Sequence, residues 1–466
     1  MRVTIIGTGY VGLTTGVALA YLGHEVVGLD VDKEKIKQLK KGEPPIFEPH
    51  LAELMQLAKD RLSFTTQYEE AVPQADVVFI AVGTPSLSDG NPDLSYVKKA
   101  AEEVGRYLGE GFTVVVNKST VPVGSGNWVE SLVRDAFEAR NGHAPVGQYA
   151  VVSNPEFLKE GTALADTLYP DRIVVGAEDP RAVEVMYTLY KPIIEQTFPA
   201  PNFLPRPEAL SAVPFITTDI PSAELIKYAA NAFLALKISF INEIALLAEK
   251  VGADVTRVAQ AIGLDARIGP RFLQAGIGWG GSCFGKDTAA LVATAREYGV
   301  PTPIVEAART VNYQQRERVV EKLMDALKIL KGRTVGLLGL AFKPHTDDLR
   351  DAPALDIARK LIQRGVKVKA HDPVALENAR RMFPDLGICY CNRPEEAAKD
   401  AEALVLVTEW PEYRELDWAR VRSLMRYPLI LDGRNFLDRK VLVELGFEYM
   451  GMGIGRVSQS ANLVAY

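Results

Sequence analysis

Cysteine is scarce in this chain. Three among 466 residues is an odd and sparse count, which excludes a disulfide framework and fits a reducing compartment. Two of the three, Cys389 and Cys391, form a lone C-x-C in an apolar, strand-like stretch. Without two further ligands nearby they read as structural, and no metal is expected. An excess of basic charge is also absent. The net charge of −6 and a pI near 5.6 exclude nucleic acid and anionic membrane as general partners. No uninterrupted apolar run reaches the roughly 18 residues of a membrane span. The opening M-R-V-T-I-I-G-T-G-Y enters a strand and a Gly-rich turn with no cleavable signal pattern, so a cytoplasmic protein is expected. What remains is ordinary globular composition, 47% hydrophobic and 24% charged. The length exceeds what one core supports and suggests about three domains.

The third cysteine, Cys283, stands in A-G-I-G-W-G-G-S-C-F-G-K-D-T-A-A-L (275–291). Gly276, Gly278, Gly280 and Gly281 precede it, so the backbone there can approach a bound molecule closely. A helical pattern after Asp287 places the thiol near a helix N-terminus, where unpaired N–H groups favour a thiolate and can meet an oxyanion. Lys286 adds positive charge, and Asp287 is a candidate base. Taken alone, the stretch also suits a buried structural cysteine in a Gly-rich turn.

Residues 2–6 are an apolar, β-branched run followed by G-T-G-Y-V-G, a helical pattern through Tyr21 and a second strand ending at Asp30. That is a dinucleotide-binding βαβ unit: Gly7 for the tight turn, Gly9 for approach of a pyrophosphate, Gly12 for helix–sheet packing. Asp30 at the second strand end can accept from both ribose hydroxyls and would repel a 2′-phosphate, which favours NAD over NADP. Lys35 either covers the adenosine or is a solvated helix lysine. Apolar runs at 76–82, 113–116 and 150–152 alternate with helical stretches, as in a doubly wound parallel sheet. Each ends in small or polar residues, at 83–86, 117–124 and 153–161. These loops lie on the edge where such sheets bind ligands and bring forward Thr84, Thr120, Glu156 and Glu160.

The Pro-rich 199–215 segment lacks periodicity and reads as a linker or insert. A long helix is predicted over 221–250, apolar around most of its circumference and hence central and largely buried. On it Lys227 and Asn231, four apart, share one face, and Asn242 and Glu243 are polar where their surroundings are apolar. Lys227 alone would equally suit a lysine snorkelling to the surface. A second helix is predicted near 255–262. At Gly332 a second α/β pattern begins without a G-x-G-x-x-G, with strands ending near Asp372, Thr408 and Asp432. Lys343, Arg350 and Arg434 fall at its strand ends, where cations would meet an anionic ligand.

Taken together, G-T-G-Y-V-G-L, V-G-T-P, S-T-V-P-V-G, N-P-E-F-L-K-E-G, P-D-R-I-V-V-G, A-E-L-I-K-Y-A-A-N-A-F-L-A, G-G-S-C-F-G-K-D and A-F-K-P-H-T-D-D-L-R make the chain resemble, over essentially its full length, the UDP-glucose/GDP-mannose dehydrogenases. The resemblance implies two Rossmann-like domains joined by a long central helix and a helical middle domain. The expected division is an NAD-binding segment 1–200, a central dimerisation segment 216–320 carrying the cysteine loop, and a UDP-sugar-binding segment 330–466. It implies oxidation of a nucleotide-sugar alcohol to the uronate with two NAD reduced, in a homodimer built on the central helix. Cys283 becomes the nucleophile that forms a thiohemiacetal and then a thioester. Lys227 and Asn231 hold the oxyanion, and Asp287, Glu156 and Thr120 manage protons and water. The NAD positions are Gly7, Gly9, Tyr10, Val11, Gly12, Asp30, Lys35, Thr84, Thr120, Glu160, Lys286 and Arg350. The nucleotide-sugar positions are Glu156, Phe157, Leu158, Lys159, Glu160, Lys227, Asn231, Phe272, Leu273, Gln274, Ala275, Gly276, Gly280 and Lys343, with Arg267 and Arg434 added. In this family the residue at Arg267 can reach across the dimer interface. The stretches G-I-G-W-G-G-S-C-F and R-I-G-P-R-F-L favour UDP-glucose over GDP-mannose or a UDP-N-acetyl-hexosamine. The 199–215 segment departs from the family in being longer. A single-step β-hydroxyacid-type dehydrogenase needs neither the cysteine loop nor the second α/β domain. A non-catalytic NAD- or nucleotide-sugar-binding regulator could dispense with Cys283, Lys227 and Asp287, all of which are present.

Overall fold

The computed structural model describes residues 1–454 apart from Ser86, Ser88 and Asp89. Ser86 of the 83–86 loop and the last twelve residues of the 330–466 segment lie outside the described residues. The chain forms two compact units, one of Met1–Ala230 with Ala289–Tyr298 and one of Asn231–Thr288 with Gly299–Tyr466.

The first unit is built on eight strands: β1 (Arg2–Ile6), β2 (Glu25–Leu29), β3 (Leu62–Thr65), β4 (Val77–Ile80), β5 (Thr113–Asn117), β6 (Tyr149–Ser153), β7 (Ile173–Ala177) and β8 (Phe215–Thr218). They lie in the order β3-β2-β1-β4-β5-β6-β7-β8, and every neighbouring pair is parallel except β6 and β7. The central strands β4 and β5 are buried at every position rather than alternating, because both sheet faces are covered. β4 (V-V-F-I) is wholly buried, Phe79 facing one core cluster and Val78 the other. The Pro-rich segment is more than a linker. Phe203, Leu204 and Leu210 pack against the core, and the path delivers β8 parallel to β7.

The second unit repeats the order with β9 (Thr334–Leu338), β10 (Lys367–His371), β11 (Ile388–Tyr390), β12 (Ala403–Leu406), β13 (Leu429–Asp432) and β14 (Glu448–Gly451). The six strands run β11-β10-β9-β12-β13-β14, all parallel. Even without the glycine fingerprint, the turn after β9 is made like the turn after β1. Gly7 N–H donates to the Leu29 carbonyl at 2.7 Å, and Gly339 N–H to the His371 carbonyl at 2.8 Å. Both glycines have positive φ, +96° and +102°. Asp30 accepts from Thr8 N–H, and Asp372 accepts from the Leu340 and Ala341 N–H groups. Cys391 is buried and Cys389 exposed, and burial pushes the Cys391 thiol up to about 11.

The helix Ile220–Val251 spans 32 residues, close to the predicted range. It passes through both units, since Ala230 closes a segment of one and Asn231 opens a segment of the other. By length and composition alone it is long and apolar enough to cross a membrane, its best window having a hydropathy of 1.5. The sequence expectation concerned uninterrupted apolar runs only, and this helix is not one. Lys227 and Lys237 break the sequence, and Tyr228, Ala235 and Ile241 are buried in protein. The helix Val255–Gly263 matches its prediction and is capped by Asp254. The cysteine helix, Ser282–Glu297, starts six residues earlier than the sequence pattern suggests. Gly285, ahead of the expected start, sits inside the first turn, where a Cβ would come within 3.2 Å of the Asp351 carboxylate, so a small residue serves packing there. A helix over Pro303–Leu327 follows.

Candidate active site

At the end of β1, Gly7 turns so tightly that a Cβ would lie 2.6 Å from the Ala81 carbonyl oxygen, and one on Gly12 would lie 1.8 Å from the Gly7 carbonyl oxygen. Only glycine fits either place. Around Gly9 nothing lies within 4 Å of a Cβ position, and the helix Tyr10–Tyr21 that it begins has no side-chain cap. Open space in front of uncapped N–H groups is what a pyrophosphate requires. Tyr10 and Val11 open this helix, both half-buried. Asp30 is buried and accepts from Thr8 N–H (2.9 Å), Thr8 Oγ1 (2.8 Å) and Lys35 Nζ (3.0 Å) through Oδ2, and from Asp32 N–H through Oδ1. Burial pulls its carboxyl up, but the Thr8 and Asp32 bonds and Lys35 outweigh it and hold the group below its ordinary range. Lys35 is therefore a partner of Asp30 rather than a solvated lysine. Thr84 Oγ1 donates to the Thr120 carbonyl at 3.0 Å, joining the loops after β4 and β5.

The loop after β6 presents Glu156 to the long helix. Lys227 Nζ donates to the Glu156 carbonyl (2.6 Å) and to Oε1 (2.8 Å), while Oε2 accepts from Leu158 N–H (2.9 Å). Both side chains are buried, so Lys227 does not snorkel. Desolvating such a pair is costly, and the extra hydrogen bonds are what make it tolerable. Phe157 lies beneath two cations, the Arg172 guanidinium at 3.7 Å and Lys227 Nζ at 5.6 Å. Lys159 is exposed and pairs with Asp166, and Glu160 is half-buried. A residue the sequence reading passed over stands behind this group. Lys118 is buried, donates to Asn154 Oδ1 at 3.0 Å, and is pushed down to about 8 by burial, against the opposing charge of Glu156. Its signal was its place in N-K-S-T, between a buried strand and the polar loop.

On the long helix, Asn231 Nδ2 donates to Asp287 Oδ2 at 2.6 Å, and Asp287 Oδ1 accepts from Lys286 Nζ at 2.6 Å. Asp287 is only 1% exposed. Cys283, four residues before Asp287, is the second residue of its helix and is exposed, its Sγ 3.7 Å from Ser282 Oγ. Thiol and carboxylate thus share one helix face, one turn apart, with the thiol in the first turn. This arrangement can hold a thiolate, and can keep a buried carboxylate ready to accept a proton.

The loop into Cys283 is pinned along its length. Gly276 N–H donates to Asn242 Oδ1 (2.8 Å), Ile277 N–H to the Gly433 carbonyl (3.0 Å), and Gly281 N–H to the Arg350 carbonyl (2.9 Å). The polar Asn242, conspicuous on an apolar helix, has this as its work. A Cβ on Gly280 would lie 2.4 Å from the Asp351 carbonyl oxygen. Arg434 donates to the Val407 (2.9 Å) and Gly278 (3.0 Å) carbonyls, and Arg350 forks onto Asp348. Lys343 is half-buried, its Nζ 5.4 Å from the centre of the Phe342 ring. Leu273 and Ala275 are buried, Gln274 is exposed, and Phe272 has a φ of +64°. The Arg267 side chain is 88% exposed and pairs with Asp265.

Three consecutive stretches match the UDP-glucose/GDP-mannose dehydrogenase family: residues 1–194 its NAD binding domain, 221–314 its central domain and 336–439 its UDP binding domain. The chain is 48% identical over 460 residues to UDP-glucose 6-dehydrogenase of Rhizobium meliloti (strain 1021), covering 97% of this chain and 99% of that protein. It is 44% identical over 454 residues to UDP-glucose 6-dehydrogenase TuaD of Bacillus subtilis (strain 168), covering 97% and 93%. Among solved structures it is similar to a UDP-glucose dehydrogenase from the hyperthermophilic archaeon Pyrobaculum islandicum, with 41% identity, 97% of each chain covered and a TM-score of 0.86. The glycine turn with its acid, the cysteine helix and the second, fingerprint-free sheet are therefore parts of one inherited design, and the chain belongs to the UDP-glucose/GDP-mannose dehydrogenase family.

Proposed function

We propose that this chain oxidises UDP-glucose to UDP-glucuronate, an NAD-dependent four-electron conversion through a thioester on Cys283. The observation that carries the reading is the cysteine helix, where an exposed thiol in the first turn precedes by four residues a buried Asp287 held by Asn231 and Lys286. The two hydrides that leave the 6-carbon would go to two NAD molecules bound in turn. The open approach at Gly9 and the anionic Asp30 suit the pyrophosphate and the unphosphorylated adenosine ribose of NAD.

The 6-alcohol gives up a proton and a hydride to become an aldehyde. An aldehyde cannot lose a further hydride until a nucleophile makes its carbon tetrahedral, and the Cys283 thiolate serves that purpose. The C–S bond forms as the carbonyl π pair moves to oxygen, which Lys227 and Asn231 are chemically suited to stabilise with N–H donors. Loss of the second hydride leaves the thioester. Water then breaks the C–S bond, its proton passing to a carboxylate, Asp287 or Glu156, and the thiolate is restored.

The proposed functional partition is 1–200 for NAD, 216–320 for the cysteine loop and 330–466 for the UDP-sugar, with Lys343 and Arg434 supplying positive charge to the sugar nucleotide and Arg350 to NAD. A homodimer is part of the proposal. On the long helix Phe233, Phe240 and Leu247, seven apart, are 61%, 48% and 58% exposed, an apolar stripe suited to a second copy of the chain. The test of the chemistry is NADH formed per UDP-glucose consumed. Two per sugar, with Cys283→Ser blocked in turnover, is the expected result. One per sugar would reduce Cys283 to a structural role, and turnover only with GDP-mannose or a UDP-N-acetyl-hexosamine would change the substrate.

A further inference from the structure

The glycines that let the 276–281 loop come close to a ligand also leave it many conformations to lose, so something must hold it. The centre of the loop is Trp279, and its peptide is gripped by the helix Pro303–Leu327. Asn312, fully buried, accepts from Trp279 N–H through Oδ1 at 2.7 Å and donates from Nδ2 to the Trp279 carbonyl at 3.0 Å. One side-chain amide thus stands in for a β-ladder partner to one residue. One turn on, Arg316 donates to the same carbonyl at 3.2 Å and to the Asp351 carbonyl at 3.2 Å. The approach is close: a Cβ on Gly278 would lie 2.6 Å from Asn312 Oδ1. The indole held in this way meets Phe284, the residue after Cys283, edge to face with centroids 5.9 Å apart.

We propose that Asn312 is a positioning residue for the second oxidation: by fixing the Trp279 peptide it sets where the Cys283 thiol stands. The inference rests on Cys283 being the nucleophile of the reading above. The first hydride transfer needs no thiol. The second needs sulfur within bonding reach of the aldehyde carbon, so a displaced loop slows C–S bond formation while leaving alcohol oxidation largely intact. Misplacement of a reacting group by about 1 Å costs on the order of 10²-fold in rate.

The experiment compares wild type with Asn312→Ala and Asn312→Asp, the latter keeping the acceptor for Trp279 N–H and losing the donor. Two readouts are taken: NADH per UDP-glucose with a carbonyl trap present, and the rate of Cys283 alkylation by iodoacetamide across pH. The expected result for Asn312→Ala is a ratio falling from two toward one, with trapped 6-aldehyde and a shifted alkylation profile. Asn312→Asp should lie between it and wild type. General loss of folded protein lowers the rate but not the ratio. If Asn312→Ala does not fold, Asn312→Asp carries both readouts. A ratio of two with an unchanged alkylation profile in a folded variant overturns the inference. If wild type itself yields one NADH, the reading of the function fails, and the alkylation profile still decides whether Asn312 sets the thiol.

Discussion

Among single residues, Lys227 is the most exposed to chemical argument. Its ammonium is buried against the Glu156 carboxylate and carbonyl, so removing it strands a negative charge in protein rather than merely deleting a contact. Lys227→Met is expected to cost about 3–5 kcal/mol of stability, the usual outcome when one partner of a buried pair is lost. Lys227→Met with Glu156→Gln should recover part of that loss while activity stays absent. Urea denaturation of the two single variants and the double variant measures this, and full additivity would show the pair to be uncoupled. Legibility at this scale was uneven. Asp30, Cys283 and Asp287 are readable because each sits at a fixed offset from a glycine pattern or strand end. Lys118 and Asn312 are not, since their importance comes from partners Asn154 and Trp279 that lie 36 and 33 residues away.

Among elements, the long helix does more than carry Lys227. One turn earlier, Glu224 is buried and accepts from Gly124 N–H at 2.6 Å and Gly126 N–H at 2.9 Å, tying the loop that carries Thr120 and the start of the helix Ser125–Asn141 to it. Burial pushes its carboxyl up to about 7 against those two bonds. A carboxyl whose folded pKa is raised contributes stability that is whole below its unfolded value, 4.5, and is lost as pH rises through about 7. Wild type should therefore lose melting temperature relative to Glu224→Gln between about pH 5 and pH 7.5, and hold a constant difference above. Parallel melting curves across that range check it, and a flat difference throughout would refute it. Element boundaries were legible where caps or strand ends were plain, as at Val255. They failed at the cysteine helix, because glycine signals loop and helix packing alike. The 199–215 segment failed for a related reason: prolines hid the aromatic and leucine side chains it contributes to the core.

At the scale of the whole molecule, the two α/β sheets were visible in the sequence because each announces itself by apolar runs ending in polar turns, whereas the shared strand order emerges only from the structure. What periodicity alone left open was the antiparallel joint between β6 and β7, since strand direction leaves no mark on composition. The exposed stripe of Phe233, Phe240 and Leu247 belongs to this scale also. Phe240→Glu is expected to halve the molar mass seen by light scattering at micromolar concentration, with far-UV circular dichroism unchanged. An unaltered mass would remove this helix from the assembly.

The turns after β1 and β9 share a glycine of positive φ and an acid that receives the following N–H groups. Sequence comparison would separate the two halves, since only the first spells out the nucleotide fingerprint. Their wiring makes them twins. One twin's acid accepts from two main-chain N–H groups, a hydroxyl and a half-buried lysine. The other's accepts from Trp410 Nε1 and four main-chain N–H groups, and has become masonry. The corner that carries the nucleotide fingerprint in the first sheet is, in the second, held shut from within by an indole and the main chain.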